Sequence, residues 1–506
     1  MSHWSSQPGR HILEGSIRNL LAEGLFPLTA LITAAILSRR AGVDGYGVLV
    51  LAVTSIVWIQ WGLNSLFSGA TIKHVGAAKD WQPIGTAAVN LQLMVGTAAM
   101  LILWLLAAPL SRLLGEPRLF ASLALLALDI PLFCVVQAHR HILAGIGEFG
   151  TCALLSAGRW VVRLVLIVGL VAMGLSISAA MLGIIGASIA ELTLARRYVR
   201  PALFRRVSAA DWPLWDYALP LFLSALSVST FVRIDLFFLK ALGGTAEQAG
   251  HYGAAQNLAQ LPGLLAVSIA PFLLSTLSRV LSMGNHAQAH ELSRHALRFS
   301  LILVSMAAVV AGTASELVVL VFGAAFTPSA SLLAILILGS SALLVLTVST
   351  TILVALGRPS LTVTLTVPLV PLAMIGHLLV VPRLGAVGAA LVTAMLEFAA
   401  AAAGLFAVSR LWDLGPLRDT LWRSLMVGGF AYVLGVASPV SGAWVLIKLV
   451  VVCATVVAGY WALGEWSPEE VTLARSLLRM RIIPIRPSVV LTRSHGVTDR
   501  LVLQAR

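Results

Sequence analysis

The feature that most constrains this chain is its succession of apolar runs, each roughly twenty residues long. That is the length an α-helix needs, at about 1.5 Å per residue, to cross a hydrocarbon core of about 30 Å. About fourteen such runs follow one another, near 17–38, 46–66, 85–108, 118–137, 151–172, 175–195, 215–241, 252–275, 297–314, 329–355, 360–380, 385–408, 421–438 and 443–463. The run at 118–137 holds Asp129 and Pro131 and is the weakest of them. The pattern predicts an all-α, polytopic integral membrane protein. Composition agrees: 11% of the 506 residues are charged, against roughly 25% in a soluble domain. A soluble enzyme, a secreted disulfide scaffold and a disordered regulator are excluded.

The formal net charge is +13. Nucleic-acid binding is the ordinary reading of such a surplus, but here the basic residues crowd into alternate short loops and the tail, so no nucleic-acid partner is expected. With the N-terminus in the cytoplasm, 24 Lys and Arg fall on the cytoplasmic side and six on the other. The positive-inside rule then places both termini in the cytoplasm. The apolar stretch from Leu20 to Leu37, with Glu23 inside it, is too long for a signal-peptide core and reads as the first membrane helix. Cys134, Cys152 and Cys453 lie in apolar runs with neither metal nor disulfide spacing. No lysine follows a glycine, so there is no phosphate-cradling loop with its lysine, and no cofactor is expected. His139 and His141 flank Arg140 in what reads as a solvated cytoplasmic loop, and His377 as a satisfied packing residue. Beyond Ser467, Leu473, Ala474, Leu477 and Leu478 form an apolar helical face opposite Arg475 and Arg479, a pattern suited to the anionic cytoplasmic leaflet.

The two halves echo each other. The first run leads through Arg39, Arg40, Ala41 and Gly42 to Tyr46-Gly47; the seventh leads through Lys240, Ala241, Leu242 and Gly243 to Tyr252-Gly253. Internal repetition is the usual build of a secondary transporter.

These same residues resemble a known family. The run from Ala35 to Gly42 with Tyr46-Gly47, the segment Arg233-Ile234-Asp235 followed by Gly243-Gly244 and Gly250-His251-Tyr252-Gly253, the pair Phe322-Gly323 with Phe326, Ala355 to Arg358, and Leu384 to Ala390 are similar to the lipid-linked oligosaccharide flippases of the multidrug/oligosaccharidyl-lipid/polysaccharide exporter superfamily. The resemblance spans roughly residues 15–465. It implies two pseudo-symmetric six-helix lobes with two further helices, and alternating access that moves a polyprenyl-pyrophosphate-linked glycan to the outer leaflet. It implies a bacterial inner-membrane location and polysaccharide polymerase or export machinery as a further partner. The expected organisation is a cytoplasmic segment at 1–16, a first lobe at 17–197, a basic linker at 198–214, a second lobe at 215–409, two helices at 410–464 and a basic tail at 465–506. The lipid II branch carries several arginines in its first two spans. Here Arg18 stands alone there, which argues against a peptidoglycan-precursor substrate.

Charges at membrane depth usually face a cavity or a partner. Arg233 and Asp235, two residues apart, do not share a helix face. A guanidinium grips a pyrophosphate bidentately, so Arg233 is a candidate for the substrate's pyrophosphate or sugars, and Asp235 for a coupling ion or a counter-charge. The alternative for both is an interhelical salt bridge. Arg159 and Arg163, one turn apart, are candidates for the cavity wall unless they snorkel to the headgroups. Arg18 is a further substrate candidate and Glu23 a further ion site. Glu397 and Lys448 read as structural partners. Gln256 and Gln260 with Tyr252 on the eighth run, and Gln60 with Asn64 on the second, suit sugar hydroxyls as well as helix-to-helix bonds. Pro262, Pro271, Pro368 and Pro371 predict bent helices. Two other functions compete. A cation-coupled multidrug exporter of the same superfamily favours intramembrane carboxylates over the arginines counted here. A membrane glycan polymerase or glycosyltransferase needs a large outer loop, and the loops here are short.

Overall fold

The computed structural model describes residues 24–78, 80–202, 215–412 and 417–465, and these contain helices and no strand. The first half comprises α1 (Leu25–Ala77), α2 (Gln82–Leu113), α3 (Arg118–Leu126), α4 (Asp129–Gly145), α5 (Phe149–Ala172) and α6 (Ile177–Tyr198). The second comprises α7 (Trp215–Ala241), α8 (Ala246–Ala259), α9 (Leu261–Ser282), α10 (His286–Gly312), α11 (Ala314–Phe322), α12 (Ser329–Ala355), α13 (Pro359–Thr366) and α14 (Leu369–Leu411), followed by α15 (Leu417–Ala437) and α16 (Trp444–Ala462). Arg18, Glu23, the linker arginines Arg205 and Arg206, and the amphipathic tail segment lie outside the described residues.

Among the described residues twelve helical stretches are long and apolar enough to cross a membrane. Two of them, Leu25–Gly76 and Pro359–Leu411, run to 52 and 53 residues, over twice a single crossing. Each contains one glycine in the left-handed region, Gly42 (φ +69°) and Gly385 (φ +55°). A side chain at that φ is strained, so glycine lets the helix break there. Gly42 falls between the runs 17–38 and 46–66, and Gly385 opens the run 385–408 that follows 360–380. Proline sets three further interruptions. α3 gives way to α4 just before Pro131, α8 to α9 at Gln260 before Pro262, and α13 to α14 at Val367–Pro368. Each ring removes a backbone donor and crowds the carbonyl four residues back.

The weak run at 118–137 is a well-formed helical pair continuing to Gly145. His139 and His141 are therefore not in a solvated loop. They lie within α4, 0% and 6% exposed, and His139 Nδ1 meets the Val135 carbonyl at 2.7 Å. The apolar residues on both sides, Val136, Ala138 and Ile142, extend the helix past the expected end. His377 is buried against Phe238, yet neither ring nitrogen has a partner among the described residues, so it packs without being satisfied.

α1 runs through the middle of the bundle, against α4 and α5 of its own half and α7 and α8 of the other. Its crossing with α8 is unusually close. A Cβ on Gly47 would collide with the Ala246 carbonyl and the Gly250 amide, and one on Gly250 with the Val43 carbonyl. Small residues permit such approach between membrane helices. The repeated Tyr-Gly thus marks two helices that pack on one another. The outward face of α2 bears Met94, Ile102 and Leu105, apolar residues where a water-facing helix would carry charge.

Candidate functional site: a buried carboxylate cluster and unpaired guanidiniums

Asp235 is fully buried on α7, and four donors converge on its carboxylate. The Tyr252 hydroxyl donates to Oδ2 at 2.5 Å, the Gln256 amide reaches both oxygens at 3.3 Å, the Thr393 hydroxyl donates to Oδ2 at 3.4 Å, and the Leu236 N–H donates to Oδ1 at 2.7 Å. Three helices build this cluster. α7 supplies the acid. α8 supplies Tyr252 and Gln256, one turn apart. α14 supplies Thr393, and one turn further along stands Glu397, buried, with Oε2 lacking any partner among the described residues. α8 is set by a capping box at its start: Thr245 Oγ1 accepts from the Gln248 N–H at 3.1 Å, and the Gln248 side chain accepts from the Thr245 N–H at 3.3 Å. The site is a carboxylate held by neutral donors, with a second carboxylate beside it and no ion-pair partner for either among the described residues.

Arg233 points elsewhere. Its guanidinium donates to the Ser229 carbonyl on its own helix at 3.3 Å and pairs with no acid among the described residues. Gln256 also donates to the Val232 carbonyl at 3.2 Å, tying α8 to α7. Gln260 is exposed at the α8–α9 junction, and its neighbour Asn257 donates to the Tyr46 hydroxyl at 2.8 Å, linking the halves.

In the first half, Gln60 donates to Asp129 Oδ2 at 2.8 Å, both side chains buried between α1 and α4. Asn64, one turn on, leaves its Oδ1 without a partner among the described residues. Arg159 pairs with Glu191 of α6 at 3.1 Å and lies over the rings of Phe133 and Trp160, with centroids at 5.3 and 5.8 Å. Arg163 lies over Trp160 at 5.9 Å and has no carboxylate partner among the described residues. Lys448 of α16 pairs with Glu316 of α11 at 2.6 Å. With these pairs set aside, two of the candidate arginines remain unpaired among the described residues, Arg163 and Arg233, alongside three acids bonded by neutral groups or unbonded, Asp129, Asp235 and Glu397. A bare count of charges along the runs conceals that balance. Thr393 carries no sequence signal of its own; its spacing of four from Glu397 is the one available clue.

The chain matches the family described as polysaccharide biosynthesis protein over residues 36–331. No protein of curated function matches it. Among solved structures it is similar to the lipid II flippase MurJ in an inward closed conformation, with a TM-score of 0.68 and 14% identity, covering 92% of this chain and 100% of that one. It is similar to an inward-facing multidrug resistance MATE family transporter, with a TM-score of 0.61 and 16% identity over 78% of this chain and 98% of that one. It is also similar to a MOP superfamily transporter from Pyrococcus furiosus, with a TM-score of 0.55 and 17% identity over 80% and 96%. At such identities these likenesses speak for the fold. The family match spans more than half of the chain, and together they establish that it belongs to the polysaccharide biosynthesis protein family, on the fold of the multidrug/oligosaccharidyl-lipid/polysaccharide exporter superfamily.

Proposed function

We propose that this protein flips a polyprenyl-pyrophosphate-linked oligosaccharide from the cytoplasmic to the outer leaflet of a bacterial inner membrane, for the assembly of a surface polysaccharide. It works by alternating access between two six-helix lobes at 17–197 and 215–409. Each long broken helix crosses twice, giving fourteen passes with both termini cytoplasmic. The observation that carries this reading is family membership joined to an unpaired guanidinium, Arg233, in a helix that also bears the buried Asp235. A planar fork without a carboxylate partner is free to take a pyrophosphate bidentately. Arg163 is the second such group, one turn along α5 from Arg159, which Glu191 holds. Gln260, exposed at the α8–α9 junction, and Asn64, whose Oδ1 has no partner among the described residues, are the amides for sugar hydroxyls, with Gln256 and Gln60 one turn before them. Arg18 and Glu23, outside the described residues, belong to the same proposed set.

Such a carrier needs an energy source. Asp235 with Glu397 is the place for a coupling cation, and the membrane potential contributes about 2.3 kcal/mol per elementary charge per 100 mV. Product on the outer leaflet passes to polymerase or export machinery.

The multidrug exporter is the second reading, and the Asp235–Glu397 pair is what favours it, since buried carboxylates suit a cationic substrate. Arg233→Ala separates the two. Under the flippase reading it abolishes polysaccharide export with protein retained in the membrane. Normal export in that variant removes Arg233 from the substrate path.

A further inference from the structure

Where the halves meet near the Gly42 break, they are joined by more than helix packing. Lys240 closes α7 in the second half, and Glu116 lies between α2 and α3 in the first. Lys240 Nζ stands 3.5 Å from Glu116 Oε2, with the two side chains 5% and 8% exposed. Glu116 also accepts from Arg118 Nε at 2.8 Å, and Arg118 Nη2 reaches Asp44 at 2.7 Å. The result is a neutral chain of alternating charges, Asp44–Arg118–Glu116–Lys240, of which only the last link spans the halves. Beside it, Arg39 donates to the Leu320 carbonyl at 2.9 Å, and Tyr46 packs against Phe322 and Phe326 at 5.9 and 5.7 Å. The Gly47–Gly250 crossing lies at the same level.

We propose that Glu116 is the counter-charge that lets Lys240 be buried between the halves at this end, a conditional latch in which the closed arrangement holds only while that ammonium is neutralised and the pair parts when the carrier opens there. The inference rests on the alternating-access reading above. When the halves separate, both charges regain water. While they are together, each is desolvated and depends on the other. The two partners are not equivalent. Without Lys240, Glu116 keeps Arg118. Without Glu116, the Lys240 ammonium is buried with no other ion-pair partner among the described residues. Removing the acid therefore destabilises the closed arrangement, and removing the base does so far less.

The test is a pulsed-EPR distance between spin labels at Arg112→Cys and Ala325→Cys, exposed positions flanking the seam from opposite halves. The chain's three cysteines are replaced by alanine. The parent gives a dominant short distance. Glu116→Met raises the ratio of long to short populations by roughly tenfold or more, because it strands a buried charge. Lys240→Met changes it little, and Glu116→Met with Lys240→Met returns it to the parent. A distribution unchanged in Glu116→Met, or as open in the double variant as in the single, overturns the latch. If Glu116→Met does not accumulate in membranes, Glu116→Gln shifts the ratio in the same direction by less, and its failure to do so overturns the proposal equally.

Discussion

Replacement of Asp235 by leucine removes the acceptor of four donors while keeping a similar volume. The Leu236 N–H retains its helical bond, so three donors are stranded: the Tyr252 hydroxyl, the Gln256 amide and the Thr393 hydroxyl. A buried donor left unsatisfied costs about 1–3 kcal/mol, so the summed loss is about 3–9 kcal/mol if nothing relaxes. Hydroxyls turn toward other carbonyls, and Gln256 already reaches the Val232 carbonyl, which places the expected value near the lower bound. Asp235→Asn keeps one acceptor and presents an N–H₂ to donors, costing about 1–3 kcal/mol. Tyr252→Phe removes a single bond to a charged acceptor, about 1.5–3 kcal/mol. The assay is the apparent melting temperature of purified protein, with export measured in cells. The expected order is parent, then Asp235→Asn and Tyr252→Phe, then Asp235→Leu well below, with export lost in both Asp235 variants. Asp235→Leu melting with the parent refutes the account of the cluster as a satisfied buried carboxylate. Normal export by Asp235→Asn refutes its part in coupling.

Three further outcomes follow from the same geometry. Gly250→Val drives a side chain into the Val43 carbonyl and abolishes export, whereas Gly263→Ala, with open space around its Cβ, is neutral; equal activity of the two would remove the close crossing from the mechanism. Lys448→Met strands Glu316 and lowers stability by about 3–5 kcal/mol, while Lys448→Met with Glu316→Met comes close to neutral; chemical denaturation of both variants, with the double as unstable as the single, would contradict the pairing. Under the proposed orientation His286→Cys is labelled by impermeant reagent only from the cytoplasmic side, and labelling from outside would invert the topology.

Much of the architecture is legible in the sequence because lipid imposes a single rule, a run of about twenty apolar residues per crossing. The helix breaks at Gly42, Gln260 and Val367–Pro368 are readable for the same local reason, since glycine and proline act on their own backbone. Pairing is not legible. Arg159 and Arg163 look alike in the sequence, yet Glu191, 32 residues beyond Arg159, takes the first and leaves the second. Glu116 lies in a short loop and Lys240 in the last turn of α7, and nothing local says that the fold brings them together. Thr393 reaches Asp235 across 158 residues. His139 shows the converse error. A pair of histidines around an arginine looks solvated, but Val136 and Ile142 on the same helix decide its burial.

The central claim, movement of a polyprenyl-pyrophosphate-linked glycan, is tested most directly by mass spectrometry of lipid extracts. Cells making the surface polysaccharide are compared with and without this gene. The account predicts that a lipid-linked glycan accumulates without the protein, that surface polysaccharide disappears, and that the parent gene restores both where Arg233→Ala does not. Lipid-linked sugars unchanged by loss of the gene, in cells that are synthesising them, would contradict it and shift the assignment to drug export.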